Sequence, residues 1–339
     1  MVKNCKVVMA RRPHGLPVAD DFRVVEESSG DPGPDEVLSR TIYLSLDPYM
    51  RGMMDDTESY AGPMQVGDAM IGSTVGVVLD SRHKAFGTGD IVETQGGWQS
   101  HVLAHGRELR KVDPYLAPVS TALGVLGMPG LTAYHGLVDV CRPAAGETVF
   151  VSAASGAVGA TVGQIAKILS CRVTGCAGSD DKVNWCLRDC GFDACFNHRD
   201  VTDPQRAIAV MCPEGIDINF ENVGGPIARA AIMSLNEHGR MAVCGTISNY
   251  NATGQDMVED HLWWLIVRRI RIEGFLVTDF AERHDEARRR LAGWIADGRL
   301  TWREDIVQGL ENAPAAFNRL FDGSNFGKLL VQVSDNPVA

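Results

Sequence analysis

Thr148–Ala177 reads TVFVSAASGAVGATVGQIAKILSCRVTGCA, and this stretch decides the fold. Thr148 to Ala153 is a β-branched and aromatic run of the kind that forms a buried parallel strand. Ala154-Ser155-Gly156-Ala157-Val158-Gly159 follows, a G-x-G-x-x-G pattern whose first glycine is alanine. Val158, Val162, Ile165 and Leu169 then recur at helical spacing on one face, and Cys171 to Cys176 resumes strand text. In such a turn Gly156 lets a pyrophosphate approach bare backbone and Gly159 lets the helix pack on the strand. The first amides of the helix supply the anion site. A lone glycine pattern also suits an ordinary βα turn. Here strand, turn, helix and second strand fall in register, so a dinucleotide site is expected.

Working outward, Ser179 followed by Asp180, Asp181 and Lys182 is a capped helix start. Further strands are expected at Ala194–Asn197, Ile216–Phe220, Arg240–Cys244 and Arg271–Val277. Helical text lies at Pro226–Leu235, His261–Ile270 and Ala281–Asp297. Alternating strands and helices of this kind give a parallel, doubly wound sheet. Upstream, residues 1 to 120 alternate short strand runs, such as Val37–Leu46 and Ser73–Leu79, with Gly, Pro and Asp turns. That spacing predicts a small, mostly antiparallel β domain or barrel. The chain closes with a helix over Ala313–Phe321 and a strand over Lys328–Val333.

A chain of 339 residues, 45% hydrophobic and 22% charged, predicts two globular domains. A net charge of −11 argues against nucleic-acid or anionic-membrane partners. Met1-Val2-Lys3-Asn4-Cys5-Lys6 leads into no apolar run, so no secretory signal is expected. The uncharged stretches Leu116–Val138 and Val149–Ala166 are broken by glycine and read as buried α/β interior rather than membrane spans. Nine cysteines without a C-x-x-C pair point to free thiols in a cytosolic protein. Cys186, Cys190 and Cys195 have tempting metal-ligand spacing, but they fit buried thiols better.

The chain resembles the zinc-free branch of the medium-chain dehydrogenase/reductase superfamily. Within it, it is similar to the NADPH-dependent alkenal/one oxidoreductases, which include leukotriene dehydrogenase/prostaglandin reductase, plant double-bond reductases and bacterial curcumin reductases. The motifs run through nearly the whole sequence. They are Leu46-Asp47-Pro48-Tyr49-Met50-Arg51-Gly52, Gly97-Trp98-Gln99, Met128-Pro129-Gly130-Leu131-Thr132-Ala133-Tyr134 and the Ala153–Gly159 turn. Gly178–Lys182, Glu221-Asn222-Val223-Gly224-Gly225, Cys244–Asn251, Gly274–Val277 and Asn325-Phe326-Gly327-Lys328 complete the set. The resemblance implies a chaperonin-10-like β-barrel domain over 1–122 and 300–339, with a Rossmann domain inserted at 123–299. It also implies a homodimer, for which Leu262–Val267 and the strand from Arg271 to Val277 offer an apolar surface.

Rossmann domains that prefer NAD place a carboxylate about twenty residues past the glycine turn. Here that region is Cys176-Ala177-Gly178-Ser179, with Lys182 just beyond. A lysine neutralises a 2′-phosphate where a carboxylate would repel it, and the resemblance puts the family's phosphate lysine at Lys182. NADPH is therefore expected. His198 stands where relatives often carry a tyrosine near that phosphate. The other contacts that the resemblance implies are Ser179, Asn222, the loop Cys244-Gly245-Thr246-Ile247-Ser248, Phe275-Leu276-Val277 and Asn325. Asn222 also makes good turn chemistry, and Phe275 and Val277 also read as core strand.

Zinc members of the superfamily need a Cys/His/acidic ligand set. Asp47-Pro48-Tyr49 and Ile71-Gly72-Ser73 stand where those relatives carry ligands, and no four-cysteine cluster lies between residues 90 and 120. The expected reaction is therefore hydride transfer to an already activated acceptor, the double bond of an α,β-unsaturated ketone or aldehyde. Tyr250 is the candidate for a hydrogen bond to the substrate carbonyl and for the proton relay, and Tyr49 is a second aromatic for the pocket. Each also suits a bland reading, Tyr250 as a loop aromatic and Tyr49 as barrel core. The competing functions are a zinc-free NADPH quinone reductase and a non-catalytic NADPH-binding module.

Overall fold

A computed structural model of the chain describes residues 2–56, 63–251 and 262–338. Two compact units emerge. The first takes in Met1–Leu123, Glu304–Asn325 and Leu329–Ala339, the second Gly124–Arg303 and Phe326–Lys328.

In the first unit β1 (Lys3–Met9) pairs antiparallel with β2 (Phe22–Ser28). Next come β3 (Glu36–Ser45), helix α1 (Tyr49–Met53), β4 (Thr74–Ser81), β5 (Ile91–Thr94), β6 (His101–His105) and β7 (Arg110–Lys111). Strands β3, β4, β5 and β7 form an antiparallel run, and β6 pairs antiparallel with β3. Gly76 sits at the bulged β3–β4 crossing, where an added Cβ would stand 2.6 Å from the Arg40 carbonyl. The sequence carried no helical periodicity to announce α1. It is only five residues long and rests on packing: Met50 and Met53 are buried beside Trp98.

The second unit holds Thr148–Ala177. It runs α2 (Met128–His135), β8 (Thr148–Val151), α3 (Ala157–Ile168), β9 (Arg172–Ala177), α4 (Asp180–Arg188), β10 (Ala194–Asn197) and α5 (Pro204–Met211). Then follow β11 (Ile216–Glu221), α6 (Gly225–Ser234), β12 (Leu235–Val243), α7 (Leu262–Arg268), β13 (Arg271–Gly274) and α8 (His284–Ala296). Among the described residues six strands pair in parallel in the order β10-β9-β8-β11-β12-β13. Strand order reverses between β8 and β11, as in a Rossmann sheet.

Some boundaries differ from the sequence reading, each for a local reason. Strand β8 stops at Val151 because Ala153 takes a left-handed φ of 49°. Strand β13 stops at Gly274, and Val277–Arg283 form a 3-10 turn leading into α8 at His284, three residues later than expected. Helix α3 buries more than one stripe. Gly163 lies against the Phe192 ring, and Gln164 holds Thr301 by two hydrogen bonds, Nε2 to the Thr301 carbonyl at 2.9 Å and Oε1 from its amide at 2.8 Å. That clamp explains why residues 300–303 group with the second unit rather than the first.

The chain then returns to the first unit through β14 (Glu304–Gln308), α9 (Ala313–Asp322) and β15 (Lys328–Gln332). Strand β15 pairs antiparallel with β3, Leu330 opposite Ser45. Phe317 of α9 meets Trp98 edge-on at 5.7 Å, and Trp98 stacks on Phe22 at 5.8 Å, so the returning segment completes that core.

Candidate functional site

The turn after β8 is held by a buried carboxylate that the motif reading left without a role. Glu221, 1% exposed, accepts through Oε1 from the Ser152 hydroxyl at 2.9 Å and from the Val223 and Gly224 amides at 2.7 and 2.9 Å. Its Oε2 accepts from Asn219 Nδ2 at 3.2 Å. Asn222 donates its backbone N–H to Ser152 Oγ at 2.8 Å and its Nδ2 to the Ser152 carbonyl at 2.7 Å. These bonds tie the C-terminal ends of β8 and β11 together at the reversal of strand order, where open parallel sheets bind ligands.

On that base the glycine turn presents bare backbone. A Cβ on Gly159 would stand 2.4 Å from the Ala153 carbonyl oxygen, so helix and turn touch as closely as backbone allows. Gly156 is different: apart from the same oxygen at 3.2 Å, no described atom lies within 4 Å of its Cβ position. No side chain caps α3 there, and Ala157 and Val158 open the helix beside it. Open backbone facing helix N–H groups fits a pyrophosphate. Ala154, in the first-glycine place, is fully buried with its N–H on the Cys176 carbonyl at 2.8 Å, so alanine fits the turn.

Gly156 also bridges to Gly327, whose φ of 78° and 2.2 Å approach to the Arg303 carbonyl admit no side chain. Next to it the Arg303 guanidinium lies 3.8 Å over the Phe326 ring, and Trp185 of α4 meets that ring edge-on at 5.5 Å. Asn325, which precedes this segment and groups with the first unit, has its amide on the Arg319 carbonyl at 3.4 Å.

At the end of β9, Ser179 caps α4 by accepting from the Lys182 amide at 3.4 Å. The Cβ position of Gly178 is 3.3 Å from His198 Nε2 and 3.7 Å from Arg199 Nε. Both side chains come from the short turn His198–Asp200 after β10. Partial desolvation, then the charges of Arg199 and Lys182, hold the His198 imidazole below the ordinary histidine value. Asn197 Nδ2 donates to Asp180 Oδ1 at 3.1 Å and to Asp200 Oδ2 at 2.7 Å, tying the start of α4 to this turn. His198 and Arg199 thus lie beside Gly178, and Gly178–Ser179 carry no carboxylate of their own. Sequence reasoning missed Arg199. The only available signal was its place beside His198, and the turn that swings both toward Gly178 leaves no periodic trace.

The loop after β12 is zipped to the loop after β11. Cys244 and Gly245 donate to the Glu221 carbonyl at 2.9 and 3.2 Å, Ile247 to Asn222 at 3.3 Å and Ser248 to Val223 at 3.0 Å. Gly224, at φ 81°, leaves room for Ser248 Oγ and the Thr246 side chain. Burial, with the Glu221 charge behind it, pushes the Cys244 thiol up to about 12. Tyr250 follows a 3-10 turn, Ile247–Asn249, and its hydroxyl comes back over Gly245.

The remaining expected residues divide. Phe275 packs against Gly136 and meets Phe220 edge-on at 6.2 Å, a core contact. Leu276 is exposed, its amide donating to Asp279 Oδ2 at 2.9 Å, and the Val277 carbonyl lies 2.9 Å from His284 Nε2. Tyr49, in the first unit, opens α1 half-buried against the Trp98 core. Burial, then Asp47, pushes its phenol well above the ordinary tyrosine value. Among the described residues no three His, Cys, Asp or Glu side chains come together as metal ligands, and every cysteine is free.

Comparison with known proteins adds identity to this geometry. Residues 6–112 match the family described as the N-terminal domain of oxidoreductase, and residues 157–293 match the one described as zinc-binding dehydrogenase. The chain is 44% identical to the NADPH-dependent curcumin reductase of Escherichia coli, over 98% of this chain and 97% of that one. It is 41% identical to the NADP(+)-dependent 2-alkenal reductase of Nicotiana tabacum, over 98% of each. The crystal structure of CurA from Vibrio vulnificus in complex with NADPH superposes with a TM-score of 0.93 at 42% identity, covering 98% of this chain and all of that one.

Proposed function

The chain belongs to the zinc-free branch of the medium-chain dehydrogenase/reductase superfamily, and from that premise we propose that it reduces the carbon–carbon double bond of α,β-unsaturated ketones and aldehydes with NADPH. The observation that carries the cofactor is the pair of basic side chains His198 and Arg199 beside Gly178, with Lys182 close enough for its charge to act on His198 and with no carboxylate on Gly178–Ser179 itself. The names of the similar proteins, a curcumin reductase and a 2-alkenal reductase, support the substrate class.

In this reading the pyrophosphate is held by Gly156, Ala157, Val158 and Gly159, and the 2′-phosphate by Ser179, Lys182 and His198. Asn222, the Cys244–Ser248 loop, Phe275–Val277 and Asn325 contact the rest. The bound cofactor supplies hydride for the β-carbon. The protein has to position the alkene and stabilise charge that grows on the carbonyl oxygen. Tyr250 donates its O–H to that oxygen, since a phenol of pKa about 10 keeps its proton at neutral pH. The enolate then takes a proton at the α-carbon, with Tyr250 in the relay, and Tyr49 lines the pocket.

The test is NADPH consumption against a panel of an aryl enone, a curcumin-like dienone, an alkenal and a quinone. Turnover of the first three above the quinone supports the reading. Quinone turnover alone would make it a quinone reductase, and no turnover at all would make it a binding module.

We also propose a homodimer formed at the β13 edge. Among the described residues that strand pairs only with β12, Ile272 is exposed, and Ile266 and Val267 are exposed on α7, which packs against β12. Edge strands of this kind invite pairing. The side chains of Leu262 and Trp263, also expected there, lie outside the described residues. Light scattering on the purified protein tests the dimer. No helix among the described residues is long and apolar enough to cross a membrane. Nine free cysteines suit a reducing compartment, and we place the protein in the cytoplasm.

A further inference from the structure

Two basic side chains from the turn after β10, His198 and Arg199, lie beside Gly178 at the end of β9, and Lys182 of the first turn of α4 is close enough for its charge to act on His198. Resting on the NADPH reading, we infer that they form a proton-linked lock for the 2′-phosphate, in which Arg199 is a second permanent cation and His198 takes up a proton as the phosphate docks.

The groups facing His198 decide its charge. Partial desolvation disfavours the imidazolium most, followed by the charge of Arg199, next to it on its own turn before Asp200, and that of Lys182 in α4. Asp180 and Asp181 open α4, but Asp180, like Asp200, accepts from Asn197. None of these three carboxylates raises the imidazole. Without ligand, then, the neutral form of His198 is favoured. A phosphate monoester carries nearly two negative charges at that pH, its second pKa being about 6. Within hydrogen-bond reach of Nε2 it reverses the local field and favours the charged ring. One proton moves from solvent to His198, and the phosphate gains a third charged donor. A lysine or arginine in that place would bind without proton uptake, and a tyrosine would donate without titrating.

The sign follows. Affinity for NADP+ should rise as pH falls from about 8 toward 6.5, while affinity for NAD+ stays flat. Below about pH 6 the phosphate itself protonates and the gain ends.

The experiment is isothermal titration calorimetry of NADP+ and NAD+, without substrate, in buffers of different ionisation enthalpy at pH 6.5, 7 and 8, on the wild type, His198→Gln and Arg199→Gln. The expected result is net proton uptake with NADP+ but not with NAD+, lost in His198→Gln. Arg199→Gln should weaken NADP+ about tenfold and NAD+ less than about twofold, as for loss of one charge-assisted contact. Equal proton uptake in wild type and His198→Gln would overturn the lock, as would equal loss of both nucleotides in Arg199→Gln. Preference of the wild type for NAD+ would remove the NADPH reading and the lock together. Preference for NADP+ without His198-dependent proton uptake would remove the lock alone.

Discussion

The Tyr250 hydroxyl lies 3.3 Å from the point where a Cβ on Gly245 would stand. The phenol therefore folds back over the loop that carries it, and that loop is pinned to Glu221, Asn222 and Val223 by four backbone amides. Position 245 governs the hydroxyl because only glycine leaves it undisturbed.

Gly245→Ala should displace the phenol by a few tenths of an ångström while leaving the fold intact, since the contact is with the end of a side chain. The expected outcome is a drop in kcat of about tenfold with NADPH affinity unchanged. Tyr250→Phe should lower kcat further, about a hundredfold. In the Tyr250→Phe background Gly245→Ala should then add little, because both changes act on one hydroxyl. Steady-state kinetics on the two single variants and the double variant check this.

Gly159→Ala is a different case, because its contact is backbone. The added methyl would press on the Ala153 carbonyl at 2.4 Å. A loss of about 1–3 kcal/mol in stability is expected, together with weaker binding of NADPH and NADH alike, since the change lies at the pyrophosphate and not the 2′-phosphate. Thermal melts and fluorescence titration with both nucleotides measure it.

Glu221→Gln should act at the same base. The new amide nitrogen cannot accept from Asn219 Nδ2 while its oxygen serves Ser152, Val223 and Gly224. About 1–3 kcal/mol of stability should be lost for the unsatisfied group, read as a lower Tm.

The second unit should also lose stability in mild acid. His135 is fully buried, its Nδ1 lies 2.7 Å from Asp139 Oδ2, its ring stacks on Phe280 at 4.7 Å, and its Nε2 has no partner among the described residues. Burial lowers its pKa even against Asp139. The unfolded chain thus binds a proton at about pH 6.5 that the folded chain refuses. The stabilisation is complete above that pH and falls as the pH drops below it, by about 1.4 kcal/mol per pH unit at most. His135→Phe keeps the ring stack and should flatten the slope between pH 7 and 5.5, as measured by denaturant unfolding.

Much of this was legible in the sequence because it is periodic or positional. The Thr148–Ala177 unit announces strand, turn and helix by spacing, and Ser179 announces its helix by the chemistry of the cap. Two kinds of feature were not legible. Arg199 and His198 lie beside Gly178 only because a three-residue turn redirects them, and Gln164 reaches Thr301 across 137 positions. Neither leaves a pattern along the chain. Glu221 stood inside a recognised motif, yet its function as the acceptor that gathers four donors depends on burial, which a single sequence does not display.

The central claim, reduction of the double bond rather than the carbonyl, is tested most directly by product analysis with NADPH deuterated at the transferring position and an aryl enone. The expected product is the saturated ketone with deuterium at the β-carbon. An allylic alcohol with deuterium at the carbonyl carbon would contradict it.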